Sequence, residues 1–121
     1  MAVGTKNSHG LAGRNRVETF SQASSSGAAQ TLSSNTDGVR RLVQVLIHYD
    51  GGSPSGTATL TVNSTLGANY DTKVASIAVS ATDVAYTPDV EWWITDGDAF
   101  DLVVPALASQ ISYATIYLER V

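Results

Sequence analysis

Short runs in which apolar and polar residues alternate constrain this chain more than any other sequence feature. Residues 57–62 give the cleanest example, with Ala58, Leu60 and Val62 on one side and threonines on the other. A period of two places alternate side chains on opposite faces of a strand, so one face of each run is expected to be buried. Similar alternation occurs within the segments 39–49, 73–79, 90–95, 100–104 and 113–118. The sequence therefore predicts an all-β chain.

Turn-forming residues separate these runs. Residues 50–56 read DGGSPSG, and the segments 66–69, 87–89 and 96–98 contain Gly, Pro, Asn or Asp, which favour turns. No window of helical length shows a 3.6-residue period. With one or two strands from the first third of the chain, the count reaches about eight, at a spacing of about ten residues. This pattern predicts a single antiparallel β-sandwich or jelly roll.

The first 36 residues differ from the rest in composition, because they are rich in Ser, Gly, Ala and Asn. Such a composition favours disorder in an isolated chain, and only residues 16–20 resemble a strand. We therefore expect an extended N-terminal arm, residues 1–36, and a β-sandwich body, residues 37–121. Contact with another chain is expected to order the arm, and the alternative is that it folds back on its own body. A chain without residues 1–36 is expected to stay folded.

Charge is unevenly distributed along the chain. Residues 1–41 contain five basic and two acidic residues, a balance of +3, whereas residues 42–121 contain two basic and nine acidic residues, a balance of −7. This asymmetry predicts a basic arm on an acidic body, although random variation of surface charge explains it equally well. The net charge of −4 and the sparse basic residues argue against nucleic-acid binding.

The sequence gives no sign of a membrane segment or a secretion signal. No window approaches the roughly 18 consecutive apolar residues that a spanning helix needs. The first residues also lack the apolar run of a signal peptide. We therefore expect no membrane partner and synthesis in the cytoplasm of the producing cell.

Residues suited to catalysis are scarce. The chain has two histidines, His9 and His48, and no cysteine, so the ligand spacing of a zinc or cupin-type metal site is missing. No Gly-x-Ser-x-Gly elbow is present. These observations predict a protein that is not an enzyme and that uses no cofactor. A small hydrolase remains as an alternative, which would need an apolar pocket that joins His48 to the acidic cluster described next.

An acidic cluster, Asp96, Asp98 and Asp101, offers oxygen ligands of the kind that Ca²⁺ prefers. It does not match the EF-hand loop. The simpler interpretation is that Asp96-Gly97-Asp98 forms a turn and that Asp101 lies on the solvent face of the following strand. We predict no metal site, and the question of Ca²⁺ stays open at this stage.

Aromatic residues on the polar faces of strands indicate contact surfaces. Trp93, Tyr113 and Tyr117 each lie opposite the apolar face of a run, and we predict that they form the contact between protomers; a sugar-binding platform is the alternative. In the arm, Arg14, Arg16 and Phe20 are the predicted contacts with a partner.

One stretch of sequence resembles small virion proteins of tailed bacteriophages. It is RRLVQVLIHYDGGSPSG at 40–56, followed by ANYDT at 68–72, PD at 88–89 and DGDAFDL at 96–102. The resemblance covers roughly residues 39–121 and says nothing about the arm. That group contains β-sandwich or jelly-roll proteins, among them capsid decoration, or cement, proteins, which have no catalytic residues.

The resemblance implies a non-enzymatic structural protein at the capsid surface of a virion, made in the host cytoplasm. It would bind the major capsid protein, stabilise the shell and form a homo-oligomer, with a trimer expected. The alternative is a tail, baseplate or fibre component that binds a host glycan or a protein.

Overall fold

A computed structural model describes residues 16–120, which form nine β-strands. The strands are β1 Val17–Ala23, β2 Gln30–Ser33, β3 Arg40–Tyr49, β4 Thr57–Asn63, β5 Thr72–Ala78, β6 Asp83–Tyr86, β7 Trp93–Ile94, β8 Ala99–Val104 and β9 Ser112–Arg120. A short 3₁₀ helix, Ala68–Tyr70, lies between β4 and β5. The predicted all-β class is confirmed. Across residues 16–120 no helix is long and apolar enough to cross a membrane.

The strands form two antiparallel sheets that pack into a sandwich. The first sheet has the order β1-β9-β3-β6, with β7 also paired to β3, and the second has the order β2-β8-β4-β5. Both β6 and β7 pair with β3, at Val45–His48 and at Arg40–Arg41. They act as one interrupted edge strand, so each sheet is effectively four-stranded. The predicted count of about eight strands is confirmed.

The pairing is that of one long hairpin wrapped around itself. Strand β4 pairs with β5, β3 with β6 and β7, β2 with β8, and β1 with β9, so that each pair encloses the previous one. Wrapping then brings β3 beside β9 and β4 beside β8. This is the topology of a jelly roll, which leaves few exposed sheet edges.

The core lies between the sheets and is made by the predicted inward faces of the strands. Phe100, Leu102 and Val104 of β8 are fully buried, as are Ala114, Ile116 and Leu118 of β9. Burying each large side chain contributes about 1.5–3 kcal/mol relative to leaving it exposed. The alternation in the sequence therefore identified the inner face of these strands correctly.

Strand β3 departs from its predicted inner face. The sequence pattern places Val39 and Val43 on the same face as Val45, but Leu42 is fully buried and Val39 is 41% exposed. The cause is an irregularity in the pairing with β9 between Leu42 and Gln44, where one extra residue enters β3. An extra residue shifts the alternation by one position, so the first part of the strand faces the opposite way.

The described part of the expected N-terminal arm belongs to the sandwich. Strand β1 pairs with β9 along its full length, from Val17 opposite Glu119 to Ala23 opposite Tyr113. Strand β2 pairs with β8 in the other sheet, and its Leu32 is buried. Residues 17–36 are therefore part of the body, which matches the alternative that this segment folds back on its own chain. Residues 1–15 lie outside the described residues.

Ion pairs neutralise part of the predicted basic region. Arg40 Nε lies 2.6 Å from Glu18 Oε1, and Arg41 Nη2 lies 2.7 Å from Glu119 Oε1. Both arginines belong to β3: Arg41 joins it to the neighbouring strand β9, and Arg40 reaches across β9 to Glu18 of β1. They do not extend from the body as parts of a basic arm.

Candidate interaction surfaces

Large apolar side chains are exposed mainly at one end of the sandwich. Seven such residues are exposed within the described chain, and five of them lie on or beside the connections at the end where β3 begins. We call this group the apolar end; its members are 41% to 73% exposed and are Val39, Leu66, Tyr70, Val90 and Trp93. The other two, Val103 and Tyr113, lie on the outer faces of the sheets. Exposed apolar clusters often mark interaction sites.

Three chain connections build the apolar end, and hydrogen bonds join them. The backbone N–H of Gly97 donates to the carbonyl of Thr36 at 3.3 Å, and the N–H of Gly38 donates to Asp96 Oδ1 at 3.1 Å. These bonds tie the connection at 95–98 to the one before β3. Gly97 has φ +88, and a Cβ there would lie 2.7 Å from the side chain of Thr65. Glycine therefore allows the 95–98 turn to touch the β4–β5 connection.

Asp98 fixes two of these connections to each other. Its Oδ1 accepts hydrogen bonds from the N–H and hydroxyl of Thr65, at 3.0 and 3.2 Å. Its Oδ2 accepts bonds from the N–H and hydroxyl of Thr95, at 3.2 and 3.1 Å. The bond from the backbone of Thr65 is the largest cause that lowers the pKa of Asp98 below its usual value. The charged carboxylate is therefore the form that stabilises the loops.

The predicted acidic cluster does not form a shared site. Asp96 and Asp98 bind the backbone of different loops, and Asp101 Oδ2 accepts a hydrogen bond from Asn63 at 3.1 Å. Within residues 16–120, no group of three or more His, Asp or Glu side chains is arranged to hold a metal ion. The turn interpretation therefore describes Asp96 and Asp98. Asp101 retains one buried oxygen, Oδ1, without a hydrogen-bond partner.

The connections at the apolar end are acidic, whereas the strand ends beside them carry the basic residues Arg16, Arg40, Arg41, Lys73 and Arg120. These connections, residues 34–39, 64–71 and 87–98, contain no Lys or Arg, and their six carboxylates are Asp37, Asp71, Asp89, Glu91, Asp96 and Asp98. The connections at the opposite end, residues 24–29, 50–56, 79–82 and 105–111, contain Asp50 as their one charged residue. The two ends of the sandwich therefore differ in both charge and exposed apolar surface. A partner that carries basic residues complements the acidic connections.

The outer face of the first sheet carries the three predicted aromatic contacts. Tyr113 and Tyr117 project from β9, and Trp93 projects from β7, where it lies opposite Arg41. Trp93 is 45% and Tyr113 is 42% exposed, whereas Tyr117 is half-buried. The structure thus brings these residues to one face. Their role in contact between protomers stays a prediction.

A shallow hollow lies on this outer face, near the end of the sandwich opposite the apolar end. Its cavity volume is about 270 Å³, and its lining residues are Leu46, Ile47, His48, Asp83, Val84, Ala85, Tyr113 and Thr115. Pairing across β9, β3 and β6 sets Tyr113, His48 and Asp83 side by side. His48 Nδ1 lies 2.6 Å from Asp83 Oδ1, and its ring centroid lies 5.8 Å from that of Tyr113. The sequence pattern did not reveal this hollow, because its residues come from strands far apart in the chain.

The same geometry bears on the hydrolase alternative. His48 bonds Asp83 and not Asp96, Asp98 or Asp101, so the arrangement that this alternative required is not formed. A histidine held by a carboxylate is one part of a catalytic triad. No hydroxyl nucleophile bonded to His48 Nε2 is found within residues 16–120.

Of the three residues predicted to contact a partner through the arm, the structure describes Phe20 and Arg16. Phe20 faces the core and packs against it, because it pairs with buried Ile116, and it is partly buried; its contact with a partner stays a prediction. The carbonyl of Arg16 accepts a hydrogen bond from the N–H of Arg120 at 2.9 Å. Arg14 lies outside the described residues.

The sequence interpretation missed most of the apolar end. Leu66 was assigned to a turn and Val90 to an alternating run, and Tyr70 was assigned to neither, yet each is more than 60% exposed. The sequence signal that could have identified them is a large apolar residue between turn-forming residues, because such a position is difficult to bury.

Comparison with known proteins does not identify the chain. No protein-family model matches it, and no curated protein matches it. Function therefore has to be inferred from the residues and the fold.

Proposed function

We propose that this chain is a non-enzymatic structural protein of a bacteriophage virion, a capsid decoration protein that binds the outer capsid surface and stabilises the shell. The partner in this proposal is the major capsid protein. The resemblance of residues 39–121 to small virion proteins supports the class of protein, and the apolar end supports adhesion as its activity.

The observation that carries the proposal is the concentration of exposed apolar side chains at one end. Five of the seven exposed large apolar residues in the described chain belong to the apolar end. Removing apolar surface from water is the main favourable term in most protein association. We therefore assign attachment to this end of the sandwich.

The loops that carry these side chains are held in place before binding. The four hydrogen bonds of Asp98 and the bond of Asp96 to Gly38 connect all three segments. A surface that is ordered in advance loses less conformational entropy when it binds. The carboxylates of these connections favour a shell surface with Lys or Arg.

Sedimentation with empty expanded capsids tests the proposal. The wild-type protein is expected to sediment with capsids, and a Leu66→Ser, Tyr70→Ser double variant is expected to bind at least tenfold more weakly. The control is Val103→Ser, since Val103 is 43% exposed on the outer face of the second sheet, away from the apolar end.

Two results would contradict parts of this proposal. Equal loss of binding in the control and the double variant would show that the apolar end is not the attachment surface. Wild-type protein that stays in the supernatant with capsids but binds a tail or baseplate preparation would assign the chain to the tail. That outcome corresponds to the alternative of a tail, baseplate or fibre component.

A further inference from the structure

The hollow on the outer face of the first sheet combines apolar and polar side chains. One row of its lining contains Ala85 and Leu46, and the adjacent row, the polar rim, contains Asp83, His48 and Tyr113. Pockets for small ligands share this combination of apolar surface and a few convergent polar groups. We propose that this hollow binds one neutral sugar ring through two of its hydroxyl groups.

The polar rim offers hydrogen-bond acceptors. Asp83 is mostly exposed, and its Oδ1 lies 2.6 Å from His48 Nδ1. In the neutral tautomer that donates from Nδ1 to this carboxylate, Nε2 is left as an acceptor. Asp83 Oδ2 lies 3.4 Å from the hydroxyl of Thr82 and has further acceptor capacity. His48 and Asp83 both line the hollow, so these two acceptors suit a ligand that donates two O–H groups.

The aromatic wall suits the apolar face of such a ligand. Tyr113 is 42% exposed, and its ring is tilted by 33° from that of His48. A pyranose ring has a face of C–H groups, which can pack on an exposed aromatic ring and on Leu46 while its hydroxyls reach the rim. The ligand must therefore have hydroxyl donors on one side and an apolar face on the other.

Size and charge restrict the ligand further. The volume of about 270 Å³ lies just below the usual range of ligand pockets, which begins at about 300 Å³, so it suits one ring and not an extended oligosaccharide. The carboxylate of Asp83 repels acidic sugars. The ligand class is therefore a neutral monosaccharide unit, such as the end of a glycan chain.

The hollow and the apolar end are far apart. His48 lies eight positions after Arg40, which is beside the apolar end, on β3, a distance of about 25 Å along a strand. A chain attached through its apolar end would leave the hollow facing the surroundings. Sugar binding stands on the geometry of the hollow alone and does not depend on capsid attachment.

Titration with the methyl glycosides of glucose, galactose and mannose, followed by ¹H–¹⁵N NMR, tests the proposal. At least one glycoside is expected to shift the amide signals of residues 46–48, 83–85 and 113–115 in a saturable way. Asp83→Asn and Tyr113→Ala are each expected to weaken binding about tenfold or more, because each removes one of the two required contacts.

The matched control is Tyr117→Ala, since Tyr117 lies on the same face of the same strand but does not line the hollow. It is expected to bind the glycoside like the wild type. Thermal unfolding of every variant checks that the fold is retained, and His48→Gln provides a further rim variant.

Several results would overturn the proposal. One is the absence of saturable shifts with all three glycosides; another is binding that persists in both Asp83→Asn and Tyr113→Ala. Saturable shifts with acetyl-lysine amide but with no glycoside would show that the hollow receives a basic side chain of a protein. Dissociation of an oligomer in Tyr113→Ala, without any sugar response in the wild type, would assign Tyr113 to contact between protomers.

Discussion

Asp98 shows how one carboxylate organises a surface that it does not itself form. It accepts hydrogen bonds from Thr65 and Thr95, and these bonds lower its pKa. A pKa that is lower in the folded state than in the unfolded state gives stability that is present at neutral pH. That stability is lost as the pH falls below about 4 toward the folded-state pKa.

The first prediction concerns this pH dependence. Asp98→Asn is expected to lower the urea midpoint at pH 7, and the difference from wild type is expected to shrink at pH 3, where the carboxyl is increasingly protonated. Asp89→Asn is the control, because Asp89 is an exposed carboxylate of the same connection. A deficit of the same size at both pH values would show that charge on Asp98 is unimportant.

Tyr49 provides a second prediction at the scale of single residues. Its side chain is buried, its hydroxyl donates to the carbonyl of Pro105 at 2.7 Å, and burial raises its pKa. Tyr49→Phe leaves that carbonyl without its partner and is expected to lower the free energy of unfolding by about 1–2 kcal/mol. Tyr113→Phe, at an exposed position, is expected to change it by less than about 0.5 kcal/mol. Urea denaturation of both variants measures the difference.

At the scale of elements, the edge strands β1 and β2 decide where the domain begins. Strand β1 covers one side of β9, and β2 covers one side of β8, so both shield the strands at the centre of the sandwich. Gln30, at the start of β2, is buried and donates hydrogen bonds to the carbonyl and hydroxyl of Ser112, at 3.0 and 2.7 Å. These bonds connect β2 to β9 across the two sheets.

Truncation tests this boundary. Removal of residues 1–15 is expected to leave a chain that unfolds cooperatively, whereas removal of residues 1–36 is expected to prevent folding because both edge strands are lost. Circular dichroism and thermal unfolding distinguish these outcomes. A folded product of the longer deletion would restore the original expectation of a separable arm. Unfolding of the shorter product would show that residues 1–15 are also part of the core.

Strand β3 shows how far a sequence pattern identifies an element and its faces. Its second half follows the alternation, and Val45, Ile47 and Tyr49 are buried as predicted. Its first half does not, because the extra residue near Leu42 depends on pairing with β9, about 75 positions further along the chain. Local alternation cannot reveal an irregularity that exists only between two distant strands.

At the scale of the whole molecule, the wrapped hairpin gives the sandwich two unlike ends. Alternate strand connections fall at opposite ends of a jelly roll, and those at one end carry six carboxylates and most of the exposed apolar side chains. The connections at the other end contain Asp50 as their one charged residue. Under the proposed function, the apolar end attaches to the virion. The hollow lies near the opposite end of the sandwich and stays exposed in that arrangement.

The alternation of residues by itself determined that this chain forms strands, and it identified the inner faces of β4, β8 and β9. Alternation is read correctly from sequence because neighbouring residues on a strand point in opposite directions whatever the strand pairs with. Turn-forming residues likewise marked most of the boundaries between strands, since they act through their own backbone preferences.

Only the tertiary structure decided how those strands are combined. It placed residues 17–36 in the body, gathered Leu66, Tyr70 and Val90 at one end, and brought His48, Asp83 and Tyr113 together across three strands. Each of these outcomes depends on contacts between residues distant in the chain. Such contacts do not produce a periodic pattern in the sequence. The alternation therefore specified the strands, while long-range pairing produced both of the surfaces that we propose bind partners.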